Sequence, residues 1–195
     1  MAERLKDRVA IVTGAGTSGP GMGNGKAAAL LFAREGATIV AVDLNEQAAA
    51  QTAKEIEAEN GRAIAIAGDV SNSGDVRRIV DTTVERFGRI DILHNNVGIE
   101  ILGDPVSTAE EDWDRVHAVN LKSVFLFGKH VIPHMQRQGG GAIVNVSSVA
   151  SIRWSPVPHS ADFWEKSLNY LLSTPRTAEV GLATRSGRRG EKPRD

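Results

Sequence analysis

The sequence predicts a doubly wound α/β domain built on a parallel sheet. Short apolar runs of β type alternate with longer helix-type segments over about the first 150 residues, and strands separated by helices imply right-handed crossovers and a parallel sheet. The apolar runs show little alternation of polar and apolar positions, as expected of strands buried on both faces. A glycine-rich turn joins the first run to the first helical segment, which is the chain order of a phosphate-binding unit.

Each strand is predicted from a short run of β-branched and small apolar residues between turn signals. The five predicted strands are Val9–Val12, Thr38–Val42, Ala63–Ala67, Ile90–His94 and Ala142–Val146. The predicted helices cover residues 25–35, 45–59, 72–87 and 109–137. The second of them is typical, because Asn45 can cap its first turn and Asn60 and Gly61 can end it. In such a domain the ligand is expected beyond the carboxyl ends of the strands.

Length and composition limit the classes of function. A chain of 195 residues with 41% apolar and 24% charged residues is most simply one globular domain with a sizeable core. The chain has no cysteines, which excludes disulfides, thiolate metal sites and a cysteine nucleophile and favours a cytoplasmic location. No signal-peptide pattern and no apolar run of about 20 residues is present, so we expect no membrane partner. The net charge of −1 argues against bulk binding to nucleic acid.

The pattern of alternating elements weakens after about residue 152. We assign residues 1–172 to the α/β domain and predict no core strand beyond Leu172. Residues 173–195 are predicted to form a disordered basic tail, because residues 176–195 hold six Lys and Arg against three acids and almost no large apolar side chains. The alternative for this tail is an arm that binds nucleic acid or an acidic partner.

The glycine-rich turn is the candidate phosphate site. Its candidate contacts are Gly14, Ala15, Gly16, Gly23 and Gly25. Only glycine lets the backbone approach a pyrophosphate closely and take unusual dihedral angles there, and the first N–H groups of the following helix face the anion. Gly21 and Gly23 are an alternative for the last pair, but the distance to the end of the helix at Gly36 favours Gly23 and Gly25.

Polar residues that follow three further strands are predicted to complete the site. Asp43 follows the second strand, where a carboxylate can accept hydrogen bonds from ribose hydroxyls and repel a 2′-phosphate, so it favours NAD over NADP. The alternative is an ordinary helix-capping aspartate. The other residues assigned to this crevice are Leu44, Asp69, Val70, Asn96 and Gly98. No metal site is predicted, because His130 and His134 have Pro133 between them and no glutamate completes a zinc-binding pattern.

The order of these motifs carries more information than any one of them. TGAG with GNG, Asp43, DV, NNVG, a helical asparagine and VNVSSVAS occur in sequence on successive elements. In this the chain resembles the classical short-chain dehydrogenase/reductase family over roughly residues 5–152. The resemblance implies a Rossmann-like fold, a nicotinamide cofactor and a homo-oligomer paired through the long helix. It also implies that Asn120 is the structural and proton-relay asparagine and that Ser148 hydrogen-bonds the substrate oxygen.

The chain departs from the family at its YxxxK motif. Asp162 stands in the window where the family has tyrosine, and Lys166 follows it by four residues. In the family the tyrosine moves the proton at the substrate oxygen, while the lysine lowers the pKa of the phenol and reaches the nicotinamide ribose. An aspartate beside a lysine holds no proton at neutral pH and is a feeble base. Tyr170, the only tyrosine, is interpreted as a packed helix residue.

We therefore expect an NAD-dependent oxidoreductase of this family that acts on a small-molecule secondary alcohol or ketone. Asn120, Ser148 and Lys166 are the expected retained catalytic group, and activity is expected to be weak or absent without the tyrosine. One alternative is a non-catalytic nucleotide-binding module. Another is a truncated or frame-shifted remnant of such an enzyme that lacks the last strands of the family.

Overall fold

The predicted fold class is confirmed. A computed structural model of the chain describes residues 3–17, 19, 21–101, 106–147 and 179–184, the last range by its backbone. The strands are β1 (Val9–Thr13), β2 (Thr38–Asp43), β3 (Arg62–Ala67), β4 (Ile92–Asn95), β5 (Ala142–Ser147) and β6 (Glu179–Thr184). The α-helices are α1 (Asn24–Arg34), α2 (Glu46–Ala58), α3 (Ser73–Phe87), α4 (Glu110–His117) and α5 (Ser123–Arg137). The strands form one sheet in the order β3-β2-β1-β4-β5-β6, and every pair is parallel.

Two apolar layers cover the two faces of the sheet. On one face Ile11 of β1 packs in a cluster with residues of α3 and α5 such as Ile79 and Phe127. On the other face Val12 of β1 packs with Leu30 of α1 and Ile56 of α2. Because β1 is central and contributes to both layers, all five of its residues are buried. This explains why its first four residues, Val9 to Val12, are all apolar instead of alternating.

The long predicted helix over 109–137 is wrong in detail. The structure divides it into α4, a π-helical segment Ala118–Lys122 and α5. A π-bulge is a single turn with one extra residue inside an α-helix, so the residues on both sides of it keep a helical pattern. The sequence pattern therefore indicates one helix, although the backbone hydrogen bonding changes around Asn120.

The expectation that no strand lies beyond Leu172 is also wrong. The segment Glu179–Thr184 pairs parallel with β5, from Ala142 opposite Glu179 to Ser147 opposite Thr184. The edge of β5 offers a row of backbone donors and acceptors, and these pair with an extended segment largely independently of its side chains. A short segment that contains Gly181 has a weak strand signal in sequence.

Among the described helices, none combines the length and apolar character needed to cross a membrane.

Candidate functional site

The glycine-rich turn connects β1 to the first turn of α1 in a close packing that side chains would prevent. Gly14 has φ +63°, in the left-handed region. A Cβ on Gly25 would overlap the carbonyl oxygen of Gly14 and lie 2.6 Å from Nδ2 of Asn96. A Cβ on Gly16 would lie 2.6 Å from the Cβ of Ala48 in α2. The start of α1 is therefore held directly against the carboxyl end of β1.

The N-terminus of α1 differs from the N-termini of α2 and α3. Asn45 and Asn72 cap α2 and α3 through side-chain hydrogen bonds to backbone N–H groups. Gly23 is the N-cap of α1, has extended backbone angles and provides no side-chain cap, and the first turn contains no acidic residue. The first N–H groups of α1 and the positive end of its dipole are thus left for a different acceptor, which suits an anion.

Asp43, the last residue of β2, reaches the glycine-rich turn. Its Oδ2 accepts a hydrogen bond from the backbone N–H of Gly16 at 2.9 Å, and its Oδ1 accepts one from the N–H of Asn45 at 3.0 Å. The carboxylate therefore lies at the carboxyl edge of the sheet beside the turn, and each oxygen retains capacity for a further donor. Leu44, the next residue, is exposed, whereas Ala15 is fully buried and donates its N–H to the carbonyl of Val42 at 3.0 Å.

The loop after β3 lies next to Asp43. The N–H of Gly68 donates to the backbone carbonyl of Asp43 at 3.0 Å. Oδ1 of Asp69 accepts hydrogen bonds from the N–H of Ser71 at 2.8 Å and from its hydroxyl at 2.7 Å. Val70 is buried against the core. Asp69 and Val70 therefore belong to the same edge of the sheet as Asp43.

The segment after β4 is fixed to the glycine-rich turn by Thr13, the first residue of TGAG, to which the sequence assigned no role of its own. The Thr13 hydroxyl accepts hydrogen bonds from the N–H groups of Asn96 at 3.0 Å and Val97 at 3.4 Å. Nδ2 of Asn96 donates to the carbonyl of Gly14 at 3.4 Å. The signal for Thr13 was its place, since a polar residue that ends a fully buried strand requires a partner.

Asn120 is joined to the segment after β4 from the π-helical part of the chain. Its Oδ1 accepts a hydrogen bond from the N–H of Ile99, and its Nδ2 donates to the carbonyl of Ile99, both at 2.9 Å. A Cβ on Gly98 would lie 3.8 Å from Oδ1 of Asn120, which is ordinary contact. The side chain thus replaces the two backbone bonds that a neighbouring strand would make, and it joins the helical segment to the crevice.

A buried amide pair lies between β4 and β5. Nδ2 of Asn95 donates to Oδ1 of Asn145 at 2.7 Å, and the two residues face each other in the parallel register. The sequence did not predict that these two residues form a pair. Two asparagines in strands that are otherwise apolar were the available signal, because buried amides need hydrogen-bond partners.

The fold and these motifs agree with the comparison against family models. A model described as short chain dehydrogenase matches residues 8–160. The chain belongs to the short-chain dehydrogenase family. The match extends past every candidate cofactor contact and past Ser148.

Individual relatives of this short-chain dehydrogenase chain are similar over the same region. An uncharacterized oxidoreductase of Thermotoga maritima is 45% identical over 148 residues, 76% of this chain and 56% of the relative. A 3-oxoacyl-(acyl-carrier-protein) reductase of the same organism is 41% identical over 153 residues, 78% of this chain and 60% of the relative. A cyclopentanol dehydrogenase of Comamonas sp. is 39% identical over 153 residues, 78% of this chain and 59% of the relative. The chain spans less than two thirds of the length of these relatives.

Solved structures extend the similarity to the fold. A short-chain dehydrogenase/reductase from Burkholderia xenovorans superposes with a TM-score of 0.81 and 39% identity, covering 92% of this chain and 76% of that protein. A short chain dehydrogenase from Mycobacterium smegmatis gives a TM-score of 0.80 with 31% identity, covering 87% of this chain and 69% of that protein.

The structure brings together most of the site residues that the sequence predicted for this short-chain dehydrogenase. The glycine-rich turn, Asp43, the Asp69 loop and the Asn96–Gly98 segment all lie at the carboxyl edge of the sheet, with Asn120 bonded to the adjoining Ile99. Ser148, Asp162, Lys166 and Tyr170 lie outside the described residues. The residue before Ser148, Ser147, ends β5 at the same edge.

Proposed function

We propose that the chain binds NAD, in preference to NADP, along the carboxyl edge of the sheet. The observation that carries the proposal is the position of the Asp43 carboxylate, which is hydrogen-bonded to Gly16 at 2.9 Å. A ribose whose pyrophosphate lay on the turn would meet this carboxylate. Its hydroxyls would donate to the remaining acceptor capacity, and a 2′-phosphate would be repelled by the negative charge.

The residues of the turn fit such a cofactor. A Cβ on Gly14, Gly16 or Gly25 would come too close to neighbouring protein atoms, so only glycine at these positions lets the backbone of the turn pack this closely between β1 and α1. The N-terminus of α1 has no side-chain cap from Gly23, so its first N–H groups and positive dipole end suit the negative charge of a pyrophosphate. We assign Asp69 and Val70 to the adenine end of the same cofactor and Asn96 and Gly98 to the path towards its nicotinamide end.

We further propose that the reaction class is hydride transfer between the nicotinamide and a secondary alcohol or ketone. When bound, the nicotinamide cofactor supplies the donor or acceptor of hydride. Asn120 holds the Ile99 backbone at the end of the crevice, Ser148 is assigned to the substrate oxygen and Lys166 to the ribose. Similarity to dehydrogenases, including one named for cyclopentanol, supports a small alcohol or ketone as substrate.

This catalytic group lacks the family's tyrosine, which transfers the proton at the substrate oxygen. Asp162 stands where the family has a tyrosine, and a carboxylate near a lysine is ionised at neutral pH. We therefore propose that cofactor binding is retained and that turnover is slow. This observation also favours a second candidate function, a nucleotide-binding module without catalysis.

Two measurements test the proposal. Titration calorimetry of the full chain is expected to give saturable binding of NADH, about tenfold tighter than that of NADPH, because NADPH loses a hydrogen bond from the ribose to the charged Asp43. Asp43→Ala should narrow this ratio, whereas Asp81→Ala removes an acid of α3 that is paired with Arg77 and should leave it unchanged. Absence of NADH binding to folded protein contradicts the proposal.

The second measurement separates the enzyme from the binding module. Asp162→Tyr should increase the reduction of NAD by simple secondary alcohols if the missing proton donor limits turnover. A protein that binds NADH as tightly as the original chain, and gains no activity, supports the non-catalytic module.

The family resemblance and two exposed side chains on α5 support a homo-oligomer. Phe125 and Ile132 are exposed and seven residues apart, so they lie on the same side of the helix with Gly128 between them. We propose that copies associate through this face. Phe125→Glu should shift the sedimentation coefficient towards that of a monomer, and an unchanged value would argue against this face. The cytoplasmic location stays a prediction.

A further inference from the structure

Two charged side chains of α3, Asp75 and Arg78, hold the loop after β3. Oδ2 of Asp75 accepts a hydrogen bond from the backbone N–H of Asp69 at 3.0 Å. Oδ1 of Asp75 accepts one from Nη2 of Arg78 at 2.8 Å, and the same nitrogen donates to the carbonyl of Ala67 at 2.7 Å. The guanidinium therefore connects the last residue of β3 to the carboxylate that holds the loop.

This arrangement fixes how the Asp69 side chain is presented. Ser71 occupies Oδ1 of Asp69 with two hydrogen bonds, whereas the hydrogen bonds of the described residues leave Oδ2 unused. The loop begins at Gly68, whose N–H is bonded to the carbonyl of Asp43 at 3.0 Å. One carboxylate oxygen is thus offered at the edge of the sheet, one strand away from the proposed ribose acceptor.

The pairing of Asp75 with Arg78 is charge-assisted and only partly exposed to solvent. The side chain of Asp75 is 34% exposed and that of Arg78 is 50% exposed. The hydrogen bond from Arg78, followed by the one from the Asp69 N–H, lowers the pKa of Asp75, so the carboxylate stays an acceptor under mildly acidic conditions. Bonds to an ionised acceptor are stronger than neutral ones, which suits a role in keeping a loop in one shape.

We propose that Asp75 and Arg78 are positioning residues that hold the Gly68–Val70 loop in the shape in which Asp69 distinguishes adenine from other bases. The inference rests on the proposed binding of a dinucleotide at this edge. The exocyclic amine of adenine is a donor that suits the unused carboxylate oxygen. A base with a carbonyl at that place offers an acceptor instead, which a carboxylate disfavours. If the loop moves, we expect the protein to lose its preference for adenine while the rest of the cofactor still binds.

The test compares NADH with its hypoxanthine analogue, reduced nicotinamide hypoxanthine dinucleotide, in which a carbonyl replaces the amine. For the full chain the analogue is expected to bind about tenfold more weakly, the effect of one hydrogen bond to a charged group. In Asp75→Asn and Arg78→Ala the ratio of the two dissociation constants should fall to about two or less. Arg78→Lys should retain most of it, because an ammonium can still donate to both oxygens.

A matched control is available one residue away on the same helix. Arg77 pairs with Asp81 at 3.4 Å, is 72% exposed and, among the described residues, makes no hydrogen bond to the loop. Arg77→Ala should therefore keep the ratio of the original chain. A general loss of stability would weaken the binding of both ligands by the same factor and leave the ratio of their dissociation constants unchanged. A change in this ratio therefore reports on the loop and not on the stability of the fold. If Asp75→Asn fails to fold, Arg78→Ala removes an exposed partner and keeps the test intact.

The outcomes separate the two proposals. No binding of NADH by the original chain overturns the proposed function and this inference with it. Binding of NADH with equal affinity for the hypoxanthine analogue overturns the inference alone. The same holds if Arg78→Ala binds NADH and preserves the original ratio.

Discussion

The carboxylate of Asp43 and the backbone N–H of Gly16 are joined by a hydrogen bond of 2.9 Å. The bond connects the end of β2 to the turn that follows β1, so one side chain both shapes the turn and faces the candidate ribose position. A substitution at either residue is therefore expected to change both the glycine-rich turn and the candidate ribose position.

Gly16→Ala is expected to disrupt the glycine-rich turn. A Cβ on Gly16 would lie 2.6 Å from the Cβ of Ala48 and 2.8 Å from Oδ2 of Asp43, so the turn must shift and we expect its hydrogen bond to Asp43 to be lost. The affinity for NADH, measured by titration calorimetry, should fall by about tenfold or more, the effect of at least one lost hydrogen bond to a charged group.

The matched control for this change is Gly128→Ala in α5. A Cβ there would lie 3.7 Å from Cδ1 of Ile132, in ordinary contact, and alanine has the higher helix propensity by about 1 kcal/mol. It should leave NADH affinity unchanged. Full affinity in the Gly16 variant would show that the turn tolerates a side chain.

Asn120→Ala should free the backbone of Ile99. The variant loses both hydrogen bonds between the side chain and Ile99, which we expect to lower the free energy of unfolding by about 2 kcal/mol. Hydrogen exchange followed by mass spectrometry should find faster exchange in the segment that contains Ile99.

Asn72→Ala serves as the comparison for Asn120. It removes the side-chain cap of α3, which accepts bonds from Gly74 and Asp75, at a cost of about 1 kcal/mol. Exchange near Ile99 should then stay at its original rate. Equal acceleration in both variants would mean that Ile99 reports only global stability.

Asp91→Asn is expected to destabilise the end of the sheet opposite the site. The buried carboxylate accepts hydrogen bonds from Arg8, Arg89 and the N–H of Val9. Burial alone would raise the pKa of Asp91, but the hydrogen bonds from Arg89, Val9 and Arg8 outweigh it and lower the pKa. Urea unfolding at neutral pH should give a loss of about 2 kcal/mol, because the amide cannot accept all of these donors.

The pH dependence of this effect follows from the lowered pKa. The folded carboxylate binds its proton less readily than the unfolded one, so the stabilisation is fully present above the unfolded pKa of about 4. It is lost as the pH falls through the folded pKa, and the difference between Asp91→Asn and the original chain should shrink there. Asp81→Asn, in an exposed pair, should cost less than about 0.5 kcal/mol throughout. A constant difference between pH 7 and acid would contradict this assignment.

His94→Phe should reduce the loss of stability that accompanies mild acidification. His94 is buried in β4 with its ring edge-on to Phe32 at 5.7 Å, and its Nδ1 has no hydrogen-bond partner among the described residues. Burial lowers the pKa of the imidazole. Below about pH 6.5 the unfolded chain therefore binds a proton at this histidine more readily than the folded chain does, so the free energy of unfolding decreases as the pH is lowered.

The measurement for His94 is urea unfolding at pH 7, 6 and 5. The slope of stability against pH should be smaller in His94→Phe. Part of the slope should persist, because burial and then Arg137 also lower the pKa of His134. Phe32→Leu keeps the histidine, so it should lower stability at every pH and retain the original slope. An unchanged slope in His94→Phe would assign the pH dependence to other groups.

Local signals in the sequence located most of the elements. The predicted and observed strands differ by at most two residues at either end, because fully buried parallel strands are short apolar runs between turn residues. The split of residues 109–137 around Asn120 escaped prediction because the residues of a π-helical turn have ordinary helix propensities, and the bonds of Asn120 to Ile99 join positions 21 residues apart. The strand Glu179–Thr184 escaped because the open edge of β5 supplies its backbone partners.

By itself, the order of residues determined the fold class, the glycine-rich turn and the polar residues that end successive strands. These features depend on spacing along the chain and on the backbone preferences of individual residues. Only the tertiary structure decided which of these groups touch: Asp43 with Gly16, Thr13 with Asn96, and Asp75 with both Asp69 and Arg78. Hydrogen bonds of this kind depend on positions to within about half an ångström, and such positions are fixed only when the helices pack on the sheet.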